Sequence, residues 1–182
     1  MLKLETDRLL LRPLHSGDFE AVHAYASVPE NVTYMIWGPN SAEETRAFLR
    51  KCEEKWKADP VGEFEFAITE KNCGKVIGAC GIYLNKERNE AMLGWILHRD
   101  YWKRGLMPEA VKAMLGYCFG TLKLHRVYAT CNAENYGSRR VMEKIGMRRE
   151  AHFRKNRLGR VGDGTRWFDE YHYAILAEEW NG

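Results

Sequence analysis

The sequence predicts an α/β fold, a mixed and mostly antiparallel sheet with helices on both faces. Three observations predict it. Apolar, β-prone segments at 64–68, 75–84 and Glu90–Leu97 follow one another across short polar turns, the pattern of antiparallel strands. Beyond them the apolar period switches back and forth, giving strand, helix, strand, helix, strand over residues 90–153. No repeat, low-complexity tract or linker divides the 182 residues, so one domain over 1–182 is expected.

The elements follow in order. Residues 8–13 read as a first strand with Leu9 and Leu11 on one face. Ser16 is placed to cap a helix over 18–26 that turns Phe19, Val22 and Ala26 inward. Residues 31–40 hold Tyr34, Met35, Trp37, Gly38 and Pro39, a loop too apolar for a mere connector. Ser41-Ala42-Glu43-Glu44 is a capping box, and the helix behind it stacks Phe48, Cys52 and Trp56 at i, i+4 and i+8. Phe64, Phe66 and Ile68 alternate with Glu65 and Ala67, as in a strand with one solvated face. Asn72-Cys73-Gly74 turns the chain into strand 75–84, which Gly78 and Gly81 interrupt. Residues 85–89 form a polar turn before the central strand Glu90–Leu97.

Helix 108–119 buries Ala110, Val111, Met114, Leu115 and Cys118. Strand 126–131 leads to helix 136–145, capped by Asn135 and stopped by Gly146. Strands 147–153 and 167–176 close the chain, separated by a basic loop bearing Gly159, Gly162 and Gly164.

Bulk properties exclude several classes. Hydrophobic residues make up 45% of the chain, enough for a full core and too many for a disordered segment. No apolar run approaches the ~18 residues of a membrane helix, and the charged N-terminus lacks a signal-peptide core, so a cytoplasmic protein without membrane contact is expected. The five cysteines are odd in number and show no C-x-x-C, which suits reduced thiols. The six histidines share no ligand spacing with Cys, Asp or Glu, so no metal site is expected. Net charge is only +3, but segment 139–166 holds ten Lys/Arg against three Asp/Glu, a patch that can attract a polyanion.

Two junctions carry chemistry. Tyr101-Trp102-Lys103-Arg104-Gly105-Leu106-Met107-Pro108-Glu109-Ala110 follows a strand and opens a helix, so main-chain N–H groups collect at the helix's positive end. Neither the Walker pattern nor G-x-G-x-x-G is present. Asn135-x-x-Ser138, then Glu143-Lys144-x-Gly146-Met147, repeats the layout after the next strand. With Leu4-Glu5-Thr6-Asp7-Arg8-Leu9 at the start and Glu178-Glu179-Trp180 at the end, the chain resembles the GNAT superfamily of acetyl-CoA-dependent N-acetyltransferases. Within it the chain is most similar to the RimJ/RimL-like ribosomal-protein N-terminal acetyltransferases.

The resemblance implies the GNAT fold with splayed central strands, acetyl-CoA as cosubstrate and a primary amine as acceptor, a protein N-terminus among the candidates. It implies a pyrophosphate held by the N–H groups of Lys103, Arg104, Gly105, Leu106 and Met107. Met107 departs from the family's small residue and is expected to crowd the phosphate. Ile96, Leu97 and His98 would meet the pantetheine arm, with an N–H near Leu97 on the thioester carbonyl. Asn135 and Ser138 would contact the cofactor, and Ser138 would serve the leaving thiolate. Met92 stands where relatives carry a catalytic glutamate. Glu90, two residues earlier on the same strand face, is the expected base, with Glu65 in the facing hairpin or a water chain as alternatives. Tyr34 and Trp37 would wall the acceptor pocket, and Asp169 would order the basic loop before it.

Two other readings stand beside the enzyme. One is an acyl-CoA-binding module with little turnover. The other is an RNA- or ribosome-associated module using segment 139–166, where contact with an acidic protein or a ribosome is expected. A homodimer through the C-terminal strands is compatible with either.

Overall fold

The computed structural model describes residues 2–161 and 164–182. Its strands are β1 (Leu4–Glu5), β2 (Leu9–Pro13), β3 (Glu63–Glu70), β4 (Val76–Leu84), β5 (Glu90–Leu97), β6 (Arg126–Asn132), β7 (Arg148–Val161) and β8 (Gly164–Leu176). Its helices are α1 (Phe19–Ala26), α2 (Pro29–Val32), α3 (Ala42–Lys57), α4 (Leu106–Gly120) and α5 (Tyr136–Lys144). The strands form one sheet in the order β1-β2-β3-β4-β5-β6-β8-β7, and β5–β6 is its parallel pair. This is the GNAT fold, a mixed and mostly antiparallel sheet with helices packed on it.

Each face has its own core. Leu9, Leu11, Phe66, Ile68 and the inward stripe of α4 (Ala110, Val111, Met114, Leu115, Cys118) pack on one side. Val22, Tyr25 and Ala26 of α1, with Leu49 and Cys52 of α3, pack on Ala67, Ala79 and Ile96 on the other. Both faces of β3 are therefore covered, and Glu65, Ala67 and Thr69 are buried as well as the aromatic set. The expected solvated face of this strand is absent because α3 packs on it and α1 packs beside it on β4.

Caps set several boundaries. Ser41 Oγ accepts from the Glu44 N–H at 3.1 Å, while Glu44 accepts from the Ser41 N–H at 2.8 Å, the expected capping box. Ser16 does not cap α1, the helix that follows it. His15 Nδ1 accepts from the Gly17 N–H, and Asp18 accepts from the His15 N–H, so a 3₁₀ turn precedes α1. Asn135 caps α5 by accepting from the Ser138 N–H at 3.0 Å, and Gly146 follows the helix at φ +87°.

The largest difference from expectation is the basic segment. It is a long antiparallel ladder from Arg148 to Val161 against Gly164–Leu176, not a loop (Gly162 lies outside the described residues). Gly159 belongs to a strand because a Cβ there would meet the Phe168 ring at 2.8 Å, so the ring covers the glycine. Asp169 holds the bulge between Phe153 and Arg157, accepting from the Lys155 N–H at 2.9 Å with His152 Nε2 at 2.7 Å. Acidic groups outside the basic segment answer several of its arginines, with Glu170 on Arg157, Glu134 on Arg166 and Glu179 on Arg148. Among the described residues, no helix is long and apolar enough to cross a membrane.

Candidate active site

The site begins where two strands part. β5 pairs with β6 only at Glu90, Ala91 and Met92, so the gap opens at Leu93, earlier than the expected 94–98. The β5–β4 register has no shift, and both the His98 N–H and the Glu90 carbonyl bond toward the β4 side. Alternation along an antiparallel ladder then turns the main-chain groups of Trp95 and Leu97 toward the gap. The Leu97 carbonyl is already taken by Trp102 Nε1 at 2.8 Å and Asn31 Nδ2 at 3.1 Å. The Leu97 N–H and both main-chain groups of Trp95 remain for a ligand. His98 does not join them, since its N–H donates to Ile77 and its ring caps the Asp100 N–H. It also lies outside the cleft lining, whereas Ile96 and Leu97 are part of it.

The turn after β5 supplies the second feature. Lys103 and Gly105 adopt φ +63° and +75°, which bends the chain into the start of α4 at Leu106. The N–H groups of residues 103–107 find no main-chain acceptor among the described residues, because α4 has no preceding turn to receive them. Consecutive free donors at a helix start suit a pyrophosphate. Met107 is packed into the core and also borders the cleft at this turn.

The N-terminal segment braces the turn. Arg8 Nη1 donates to the Arg104 carbonyl at 3.1 Å, and Arg8 Nε donates to Glu109 at 2.7 Å. The Thr6 hydroxyl and the Arg8 N–H also reach Glu109, holding its carboxyl below the usual range although partial burial opposes that shift. The early Thr6-Asp7-Arg8 run thus acquires a structural reason that sequence inspection did not supply.

Both features open into one cleft of ≈ 1360 Å³. Lys103, Gly105, Leu106, Met107, Asn135 and Ser138 line one half. Tyr34, Trp37, Tyr25 and Glu65 line the other. Glu90 is outside it. Arg126 pairs with Glu90 and also grips Glu150 at 2.6 Å, so Glu90 lies at the far end of β5 with its charge already answered.

Glu65 occupies the position that Glu90 does not. Register places Glu65, Gly81 and Gly94 in one row across β3, β4 and β5. A Cβ at Gly81 would fall 2.5 Å from the Tyr83 hydroxyl and 3.0 Å from Glu65 Oε2, and one at Gly94 would fall 3.3 Å from the Tyr83 ring. The two glycines therefore make the recess into which Tyr83 leans, donating to Glu65 Oε1 at 2.9 Å. Glu65 is 5% exposed, and burial pushes its carboxyl up to about 7. The Tyr83 hydrogen bond and Lys55 Nζ, 4.0 Å away, pull the other way but do not win. Tyr25 is 1% exposed and its hydroxyl has no hydrogen-bond partner among the described residues.

A carboxyl poised near neutrality, facing a bed of free amides across one cleft, suits proton removal beside an activated acyl group. Comparison with known proteins gives the family. Residues 8–148 match the model of the acetyltransferase (GNAT) domain family. The chain is 37% identical over 180 residues to YnaD of Bacillus subtilis (strain 168), named as an uncharacterized N-acetyltransferase; the match covers 99% of this chain and 100% of YnaD. The crystal structure of a GNAT-family acetyltransferase from Bacillus anthracis superposes with a TM-score of 0.84 at 36% identity, covering 98% of this chain and 100% of that one. The [ribosomal protein uS5]-alanine N-acetyltransferase of Escherichia coli (strain K12) is 26% identical over 189 residues, covering 98% of this chain and 93% of that protein. The chain belongs to the GNAT family, and it is an N-acetyltransferase that moves acetyl from acetyl-CoA to an amine.

Proposed function

We propose that residues 1–182 act as one domain that transfers acetyl directly to a primary amine in a ternary complex, with Glu65 as the base. The supporting observation is the placement of buried Glu65 in the same cleft as the unpaired N–H groups of residues 103–107. The amides of residues 103–107 hold the cosubstrate's pyrophosphate, and its arm pairs with the edge of β5 at Trp95 and Leu97. The Leu97 N–H faces the thioester oxygen where negative charge develops.

The acceptor enters as an ammonium and gives one proton to Glu65. The freed lone pair forms the C–N bond, and the C–S bond breaks. A second proton passes from the nitrogen to the thiolate, the third staying as the amide N–H, and the Ser138 hydroxyl in the cleft lining stabilises the departing sulfur. Glu65 suits the first step because its pKa lies close to that of an α-amino group, near ~8.

A protein N-terminus is a second reading of the acceptor, and its support is the relative that acts on ribosomal protein uS5. Likeness to the RimJ/RimL-like branch rests on the same relative and on the N- and C-terminal motifs. Thiol release from acetyl-CoA, measured against amines and N-terminal peptides, tests the reaction. Release with an amine and loss of release in Glu65→Gln are expected. Unchanged turnover in that variant would move the base elsewhere.

A further inference from the structure

The acceptor half of the cleft differs in character from the cofactor half. Tyr34, Ile36 and Trp37 stand exposed at its mouth, Ile36 at 73%. Behind them lie Phe48 and Tyr25, and at the floor a single buried carboxylate. We propose that this half takes a compact aromatic or branched primary amine carrying one positive charge. The inference rests on the acetyl-transfer reading and narrows its acceptor.

Three observations carry it. The first is charge. The Tyr83 hydroxyl occupies one oxygen of Glu65, and the other oxygen, over Gly81, remains for an ammonium. A polyamine would need further acids along its length. Of the other acids in the lining, Glu30 is exposed, where water and salt screen its charge, and Glu134 is paired with Arg166. Beyond Glu65 a second ammonium would find no buried, unpaired carboxylate among the described lining residues.

The second observation is the unpartnered Tyr25 hydroxyl at the same floor. Buried hydroxyls without a partner are rare and costly. An ammonium N–H donated to it would satisfy it. The group therefore points to a ligand and not to the free fold.

The third observation is the main chain. An extended peptide binds by adding to a free strand edge. At Glu65 there is none, because the β3 edge is covered. Its carbonyl accepts from the Leu14 N–H and from Trp56 Nε1, both at 2.9 Å. The free edge of β5 is committed to the cofactor. What remains for recognition is ring and side-chain surface, which rewards an apolar body.

The test compares initial rates of thiol release for 2-phenylethylamine, isopentylamine, spermidine and an alanine-initiated peptide. The expected result is a kcat/KM for the first two at least tenfold above the last two. Trp37→Ala should raise KM for 2-phenylethylamine several-fold more than it lowers kcat, and Trp37→Phe should restore it. Tyr25→Phe should raise the same KM without lowering the melting temperature of the free protein, since the lost hydroxyl bonds to nothing there. A tenfold preference for spermidine or the peptide overturns this inference and leaves acetyl transfer intact. Equal rates for all four acceptors overturn it in the same way. Thiol release with none of them, while acetyl-CoA still raises the melting temperature, overturns both.

Discussion

Replacing Glu65 by Gln separates catalysis from stability in opposite directions. In the folded protein this carboxyl keeps its proton to about pH 7, whereas the unfolded reference loses it near 4.5. Between these values the native state binds more protons, so the group's contribution to stability falls as pH rises through that window. The rise from 4.5 to about 7, at ~1.36 kcal/mol per tenfold change in proton affinity, gives a cost of about 3 kcal/mol above pH 7. Glutamine removes the charge and keeps an acceptor for Tyr83, but its amide N–H groups must also be buried at a cost of about 1 kcal/mol. The net gain is about 2 kcal/mol at pH 8, a rise in melting temperature of about 4–8 °C for a chain of this size. At pH 5 the gain should vanish. Activity should fall by about 10²-fold or more, and the acidic limb of kcat/KM near pH 7 should disappear. Thermal melts at pH 5 and 8, with thiol-release rates from pH 5.5 to 9, read both effects. A variant with parental activity and an intact acidic limb would refute the assignment. Equal melting shifts at both pH values would refute the burial argument behind it.

Other perturbations follow from named contacts. Glu90→Gln should leave kcat/KM within twofold and cost below about 1 kcal/mol in urea unfolding, since the pair it breaks is partly exposed and Arg126 keeps Glu150. Gly81→Ala should cost about 1–3 kcal/mol and lower activity, because the new methyl displaces the Tyr83 hydroxyl from Glu65. Arg8→Ala should raise KM for acetyl-CoA by about tenfold, the worth of one charge-assisted hydrogen bond, with a smaller change in kcat.

Much of this architecture is legible in the chain. The α4 stripe, the Ser41 capping box, the Asn135 cap and the bounds of β5 all follow from local periodicity and cap chemistry, which act within a few residues. The base is not legible that way. Glu65 and Glu90 are both strand glutamates beside apolar neighbours, and only tertiary placement separates them: α1 and α3 bury one, while Arg126 neutralises the other. A signal for the site was present in Gly81 and Gly94, two glycines inside strands. Their meaning depends on a cross-strand register with Glu65 that sequence does not display. Residues 154–161 and 164–166 misled for a related reason. Their glycines and charges resemble a loop, but Phe168 and Asp169 supply the cover and hydrogen bonds that hold residues 154–161 in the ladder.

Amide NMR of the labelled protein, titrated with coenzyme A, tests most directly whether the parted strands and the glycine turn receive the cosubstrate. The largest shifts should fall on the N–H groups of residues 103–107, with Trp95 and Leu97 next. Shifts confined to the β7–β8 ladder, or saturation with the turn amides unmoved, would contradict the account.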